Sequence, residues 1–175
     1  MLPKKCWDRI LIVRTDRIGD VLLSTPVIKA LRDAYPNAYI AMMVSPYAKD
    51  IVDGNPNLDE VIIYDKNGKE KNWLGSMKFS QVLRKKKFDL AIILHPTNRI
   101  HLVTFFSGTP VRIGYNYKIG FLLTQKLKHS KHTGREHEID YSLDVVRALG
   151  IDTPDKHLYM PIKKESEEYI AKLLN

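Results

Sequence analysis

Arg9-Ile10-Leu11-Ile12-Val13-Arg14-Thr15-Asp16-Arg17-Ile18-Gly19-Asp20 joins a short, branched apolar run to a charged turn that contains a glycine. An uninterrupted apolar run bounded by arginines reads as a strand buried on both faces, because a half-exposed strand would alternate apolar and polar positions. The strand ends near Thr15. Beyond the turn, Val21, Leu22, Val27, Ile28 and Leu31 follow helical spacing in spite of Pro26. Thr25-Pro26 offers an N-cap followed by proline at the first helical position, so the helix begins or restarts there.

The same alternation runs outward along the chain. A second strand is expected at Tyr39–Val44 after the turn Tyr35-Pro36-Asn37, and Ser45-Pro46 opens a short helix ending near Gly54. Glu60–Tyr64 reads as a third strand. Ser76–Lys86 reads as a helix, followed by Lys87, whose terminal cations suit the negative end of its dipole. Phe88–His95 is a fourth strand, Ile100–Ser107 a helix stopped by Gly108, and Val111–Tyr115 a short fifth strand. Near-continuous apolar strands separated by helices predict an α/β, Rossmann-like doubly wound parallel sheet, whose ligands sit outside the carboxyl ends of the strands. From Gly114 to His137 the pattern weakens into a long basic loop, with Lys118, Lys126, Lys128, Lys131 and Arg135 among Tyr115, Tyr117 and Phe121. A helix over Ile139–Leu149, closed by Gly150, completes a domain spanning residues 1–150. Residues 151–175 read as a linker with Pro154 and Pro161 and a final helix over Glu165–Leu174.

Composition narrows the class. The 175 residues suffice for one ordinary domain, and 44% hydrophobic with 27% charged residues is the balance of a globular protein. Cys6 is the single cysteine, which excludes an intrachain disulfide, and six histidines without a second cysteine lack a zinc signature. A reducing, cytoplasmic setting is expected. Charges at Asp8, Arg9, Arg14, Asp16 and Arg17 break up the first apolar run, unlike a signal peptide, and no stretch reaches the ~20 apolar residues that cross a bilayer. The formal net charge of +8 favours polyanionic partners: nucleic acid, an anionic membrane surface or an acidic sugar-lipid. Charge alone does not choose among them.

The turn after the first strand carries the most chemistry. It places the carboxylates of Asp16 and Asp20, the guanidiniums of Arg14 and Arg17, and Gly19 where such a sheet opens its ligand crevice. Gly19 is expected to permit a tight turn or a close approach to substrate. Asp20 should lie near the positive end of the next helix, which favours its ionised form, and an ionised carboxylate in a cleft serves as a general base. The same residues admit a structural reading, with Asp20 as a helix cap and Asp16 paired to Arg14 or Arg17. Neither Gly-x-Gly-x-x-Gly nor a Walker-type Gly-Lys-Ser/Thr follows the strand, which argues against a nicotinamide enzyme and a P-loop nucleotidase. His95 and the loop Pro96-Thr97-Asn98-Arg99 fall at the same edge of the sheet, where His95 either lines a pocket or finishes its strand with the ring bonded to backbone. Arg99 and Arg112 are candidates for bidentate binding of carboxylate or phosphate, or are surface residues. His129, His132 and His137 are spaced too loosely for a metal site. The basic-aromatic loop suits single-stranded nucleic acid or an anionic glycolipid.

Ile10–Pro26, Ala30-Leu31-Arg32-Asp33-Ala34-Tyr35-Pro36, Phe88–Ile92, Arg112–Tyr115 and His137–Leu143 together resemble the heptosyltransferase family, glycosyltransferase family 9. The resemblance implies the N-terminal half of a GT-B enzyme, with two Rossmann-like domains facing across a cleft. It implies inverting, metal-independent transfer of heptose from ADP-heptose to a lipopolysaccharide core acceptor, with no cofactor. Acceptor recognition belongs mainly to this half, and the family's catalytic aspartate, in the Gly-Asp pair after the first strand, corresponds to Asp20. Asp16 is then the less favoured base. Thr15, Asp16, Arg17, Gly19, His95, Arg99 and Arg112 are the substrate-binding candidates. Family members carry a second, donor-binding domain, and this chain stops where that domain should start, so alone it is expected to be inactive. The partners implied are the anionic acceptor and, through the C-terminal domain, the nucleotide sugar; nucleic acid is disfavoured. Location in the cytoplasm, with peripheral contact at the inner face of the bacterial inner membrane as an option, follows from the same resemblance. Two rivals stand beside it: a non-catalytic basic module binding anionic glycan or nucleic acid, and a transferase of this fold with a different donor or acceptor.

Overall fold

The apolar run that opens the chain forms β1 (Arg9–Val13), flanked by β2 (Tyr39–Val44) and β4 (Leu90–Ile93) in a computed structural model that describes residues 6–129, 137–162 and 164–174. With β3 (Glu60–Ile63), β5 (Val111–Asn116) and β6 (Gln125–Lys128) they make a six-stranded sheet of order β3-β2-β1-β4-β5-β6, parallel throughout. The doubly wound α/β architecture follows from the strands' composition. Side chains alternate across a strand, and here both faces are apolar, so both must be covered.

Ile10, Ile12, Ile40, Met42, Leu90 and Ile92 point to one face. There they meet α1 (Ile18–Leu22), α2 (Thr25–Ala34), α3 (Lys49–Val52) and α6 (Glu138–Arg147) through Val21, Ile28, Leu31, Val52 and Val146. Leu11, Val13, Ala41, Met43, Ala91 and Ile93 point to the other. They are covered by α4 (Trp73–Lys85) and α5 (Asn98–Phe106) through Phe79, Leu83, Ile100 and Val103. The chain winds from β1 out to β3, returns to β4 beside β1, and winds away to β6. That reversal leaves a crevice at the carboxyl ends of β1 and β4.

Four local expectations change. Residues 125–128 are a strand and not loop: Gln125 and Leu127 are half-buried while Lys126 and Lys128 are exposed, and the segment pairs with Ile113–Asn116. An edge strand studded with lysine resists pairing with other chains, and those lysines hide its strand character in the sequence. Lys131, His132 and Arg135 lie outside the described residues. The helix restarts at Thr25, as expected, but its N-cap is one residue earlier, at Ser24, with Thr25 already helical; Thr25 Oγ1 donates to the Leu22 carbonyl instead (2.8 Å). α4 starts before Ser76, because the Asn72 side chain accepts from the Gly75 N–H (2.7 Å) and so caps it. α6 is capped by His137, whose Nδ1 accepts from the Ile139 N–H (3.3 Å). Gly108 and Gly150 stop α5 and α6 at positive φ, as expected. A final helix, α7, covers Lys164–Leu174. No helix among the described residues is long and apolar enough to cross a membrane.

His101, on the buried face of α5, is 1% exposed. Burial pushes its pKa below the usual histidine value, and a backbone contact from Tyr117 offsets part of that. Its folded pKa lies below its unfolded value of about 6.5, so the unfolded chain binds the extra proton. Stability is therefore expected to fall as pH drops below about 6.5, by at most about 1.4 kcal/mol per pH unit from this group. Thermal unfolding of His101→Leu should show a flatter melting temperature between pH 7.5 and 5.5 than the parent chain; equal slopes would remove His101 as the cause.

Candidate functional site

Arg14 follows β1 directly, and its N–H continues the ladder by donating to the Met43 carbonyl (2.9 Å). It is in phase with Ile10 and Ile12, so its side chain points to the α1 and α6 face and is fully buried. A buried guanidinium requires acceptors on every side. Nε donates to Asp16 Oδ1 (2.8 Å), Nη2 to Glu138 Oε1 (2.8 Å) and Nη1 to the Leu94 carbonyl (3.4 Å). Asp20 Oδ1 lies 3.3 Å from Nη2, an ion pair longer than the other two. Three carboxylates, from the β1–α1 turn, α1 and the first turn of α6, thus converge on one cation. Asp20 is the most open, with its side chain 24% exposed against 15% for Asp16 and for Glu138. Its main chain is fixed as well, because Ser24 Oγ donates to the Asp20 carbonyl (2.8 Å).

Thr15, one residue on, points to the opposite face. Its carbonyl accepts from Ser45 Oγ (2.7 Å) and Lys66 Nζ (2.9 Å), and its Oγ1 lies 3.4 Å from His95 Nδ1 across the β1/β4 crevice. Thr15 and His95 border a cavity of about 340 Å³ whose wall includes Tyr64, Lys66, Thr97 and Arg99. Arg99 Nη1 donates to the carbonyls of Glu70 (3.2 Å) and Lys66 (3.5 Å). Both cations are therefore held by main-chain oxygens, and among the described residues neither pairs with a carboxylate. Burial pushes the Tyr64 phenol up, against the pull of Ser76 and Arg99, so it stays protonated. Such a cavity presents positive charge and donors to an anionic group.

The candidates of the sequence separate accordingly. Asp16 and Asp20 share the Arg14 cluster, whereas Thr15, His95 and Arg99 share the cavity. Arg17 is exposed at the N-cap of α1 and makes no capping bond; Asp20 is in the first turn and is not the cap. Gly19 is helical without positive φ, and a Cβ there would meet nothing within 4 Å, so the expected tight turn is not its role. Arg112 stands apart: near the amino end of β5, its guanidinium donates to the carbonyls of Leu122 (2.9 Å) and Thr109 and lies over the Phe105 ring. It braces loops and does not reach the crevice. Among the described residues no group of three or more His, Cys, Asp or Glu is arranged to hold a metal ion.

Glu138 and Lys66 escape a sequence reading because neither is near the turn in the chain. Arg14 did carry a signal: an arginine in phase with two buried isoleucines has to find acids.

No family model matches the chain. It is 25% identical over 120 residues to lipopolysaccharide heptosyltransferase 2 of Escherichia coli K12, covering 69% of this chain and 34% of that protein. It is 28% identical over 140 residues to lipopolysaccharide heptosyltransferase 3 of the same organism, covering 76% and 40%. A solved glycosyl transferase family 9 structure from Veillonella parvula superposes with a TM-score of 0.82 at 26% identity, covering 95% of this chain and 50% of that one. The E. coli heptosyltransferase WaaC with ADP-2-deoxy-2-fluoro heptose shares the fold, with a TM-score of 0.71 at 20% identity over 84% of this chain and 50% of that one. The chain spans half or less of the length of these proteins. The chain is similar to the N-terminal half of glycosyltransferase family 9 heptosyltransferases.

Replacing Arg14 by Met would leave three partly buried carboxylates facing one another. A loss of roughly 3–5 kcal/mol in urea unfolding is expected, with part recovered in Arg14→Met/Glu138→Gln. A loss below about 1 kcal/mol would mean that the cluster does not organise the site.

Proposed function

We propose that this chain is the acceptor-binding half of an inverting, metal-independent sugar transferase that moves heptose from ADP-heptose to a lipopolysaccharide core acceptor, with Asp20 as general base. The observation that carries the reading is the position of Asp20: the most exposed carboxylate of the Arg14 cluster, at the carboxyl edge of the sheet beside the β1/β4 crevice. As the acceptor hydroxyl oxygen attacks the anomeric carbon, its proton passes to Asp20. The bond from that carbon to the diphosphate breaks, ADP departs and configuration inverts. Lys66 and Arg99, with positive charge not matched by carboxylates in their cavity, suit an anionic acceptor group. The donor class is suggested by the solved relative crystallised with an ADP-heptose analogue. Donor contacts are assigned to the half of the relatives that this chain does not span. The setting that suits this acceptor is the cytoplasmic face of the inner membrane.

In a full-length enzyme carrying this chain, Asp20→Asn keeps size while removing the basic carboxylate. Turnover should fall about 10²–10⁴-fold with little change in acceptor KM. Asp16→Asn weakens the 2.8 Å bond to Arg14 and should lower the melting temperature more than it lowers kcat. Near-normal turnover in Asp20→Asn would assign the base elsewhere.

Acceptor recognition is tested separately by Lys66→Ala and Arg99→Ala. Each is expected to raise acceptor KM roughly tenfold, the effect of losing one charge-assisted hydrogen bond, while donor KM holds. A rise in donor KM alone would place the donor in this cavity.

A further inference from the structure

Arg14 has five N–H donors in a planar fork. Nε serves Asp16, one Nη1 proton serves the Leu94 carbonyl, and Nη2 serves Glu138 at 2.8 Å, while Asp20 is left with a 3.3 Å contact to that same Nη2. A carboxylate with a choice closes on a guanidinium to about 2.8 Å, often through both oxygens. Asp20 does not, although it is beside the same nitrogen. Glu138 takes one of the two N–H bonds of Nη2 at 2.8 Å and so fixes where the guanidinium sits, while Asp20 stays at 3.3 Å from the same nitrogen. A carboxylate held short has its lone pairs committed to the guanidinium; one held loosely keeps them for a substrate proton.

We propose that Glu138 is a positioning residue for catalysis: by holding the Arg14 guanidinium toward α6 through Nη2, it keeps Asp20 from closing into a tight ion pair and leaves that carboxylate available at the crevice. This rests on Asp20 being the base. Glu138 reaches the site from the first turn of α6, 124 residues from Arg14 in sequence, so the packing of α6 on α2 sets the geometry of the reacting carboxylate. Neighbouring polar groups are engaged elsewhere. Tyr47, on the turn before α3, donates to the Asp16 carbonyl (2.6 Å), and Lys49 on α3 pairs with Asp53. Asp140, on α6, is taken by Arg147 and Lys156.

The test uses Glu138→Ala and Glu138→Gln. In a crystal structure of the Glu138→Ala chain, Asp20 and Arg14 should close from 3.3 Å to about 2.8 Å. In the full-length enzyme the same variant should lower kcat about 10–100-fold at unchanged KM for both substrates, the size of effect that misplacing a reacting group produces. Glu138→Gln retains an acceptor oxygen for Nη2 and should keep most of the turnover. Adding Glu138→Ala to Asp20→Asn should cost nothing further. If Glu138→Ala does not fold, Glu138→Asp, which withdraws the oxygen by one methylene, takes its place with the same expected signs. Closure of the contact without loss of kcat, loss of kcat without closure, or a rise in KM with kcat intact would each overturn the proposal. Should Asp20→Asn itself retain turnover, the functional reading fails, whereas the crystallographic distance still decides whether Glu138 holds Asp20 open.

Discussion

The arrangement depends on a guanidinium buried where water cannot reach it. Taking Arg14 out of solvent costs several kcal/mol unless acids and carbonyls replace its hydration. The sheet cannot close around β1 until those groups arrive: Asp16 and Asp20 from the turn, the Leu94 carbonyl from the end of β4, and Glu138 from α6. The requirement ties together the first strand, the strand at which winding reverses and the helix that follows β6. The constraint that completes the fold also gathers acidic groups at the edge where open α/β sheets generally bind ligands.

The pleat divides that edge. Arg14 and Thr15 are neighbours in the chain but face opposite sides of the sheet. Acids accumulate on the side of α1 and α6, and cations held by main-chain carbonyls accumulate on the side of α4 and α5. The near contact of Thr15 with His95 marks the boundary. The carboxylate cluster and the cationic pocket then sit at one edge without neutralising each other. Had Lys66 or Arg99 lain on the α6 side, the three carboxylates would have taken them up.

Charge alone is a poor guide to which of the candidates belong together. Arg112 shares a residue type with Arg99 and a place in a segment resembling the family, yet register puts it near the amino end of β5, where loop carbonyls and the Phe105 ring consume it. Gly19 is similar. Its glycine is demanded neither by φ nor by a neighbour, so what it contributes is open space beside Asp20. The strand Gln125–Lys128 was concealed for a related reason: an edge strand has one exposed face, and lysines there look like a loop in a linear reading.

Apolar runs bounded by charges, and the helices between them, are local properties, so the amino-acid sequence by itself determined the parallel, doubly wound sheet, the turn carrying Asp16 and Asp20, and the edge at which chemistry belongs. Its resemblance to a known family pointed to Asp20. Which groups meet at that edge is a non-local property. Glu138 comes to Arg14 from 124 residues away, and Lys66 comes to Thr15 from 51. Only the tertiary structure decided these pairings, because they follow from how strands register and helices pack, and because a buried charge is satisfied by whatever the fold brings within hydrogen-bond reach.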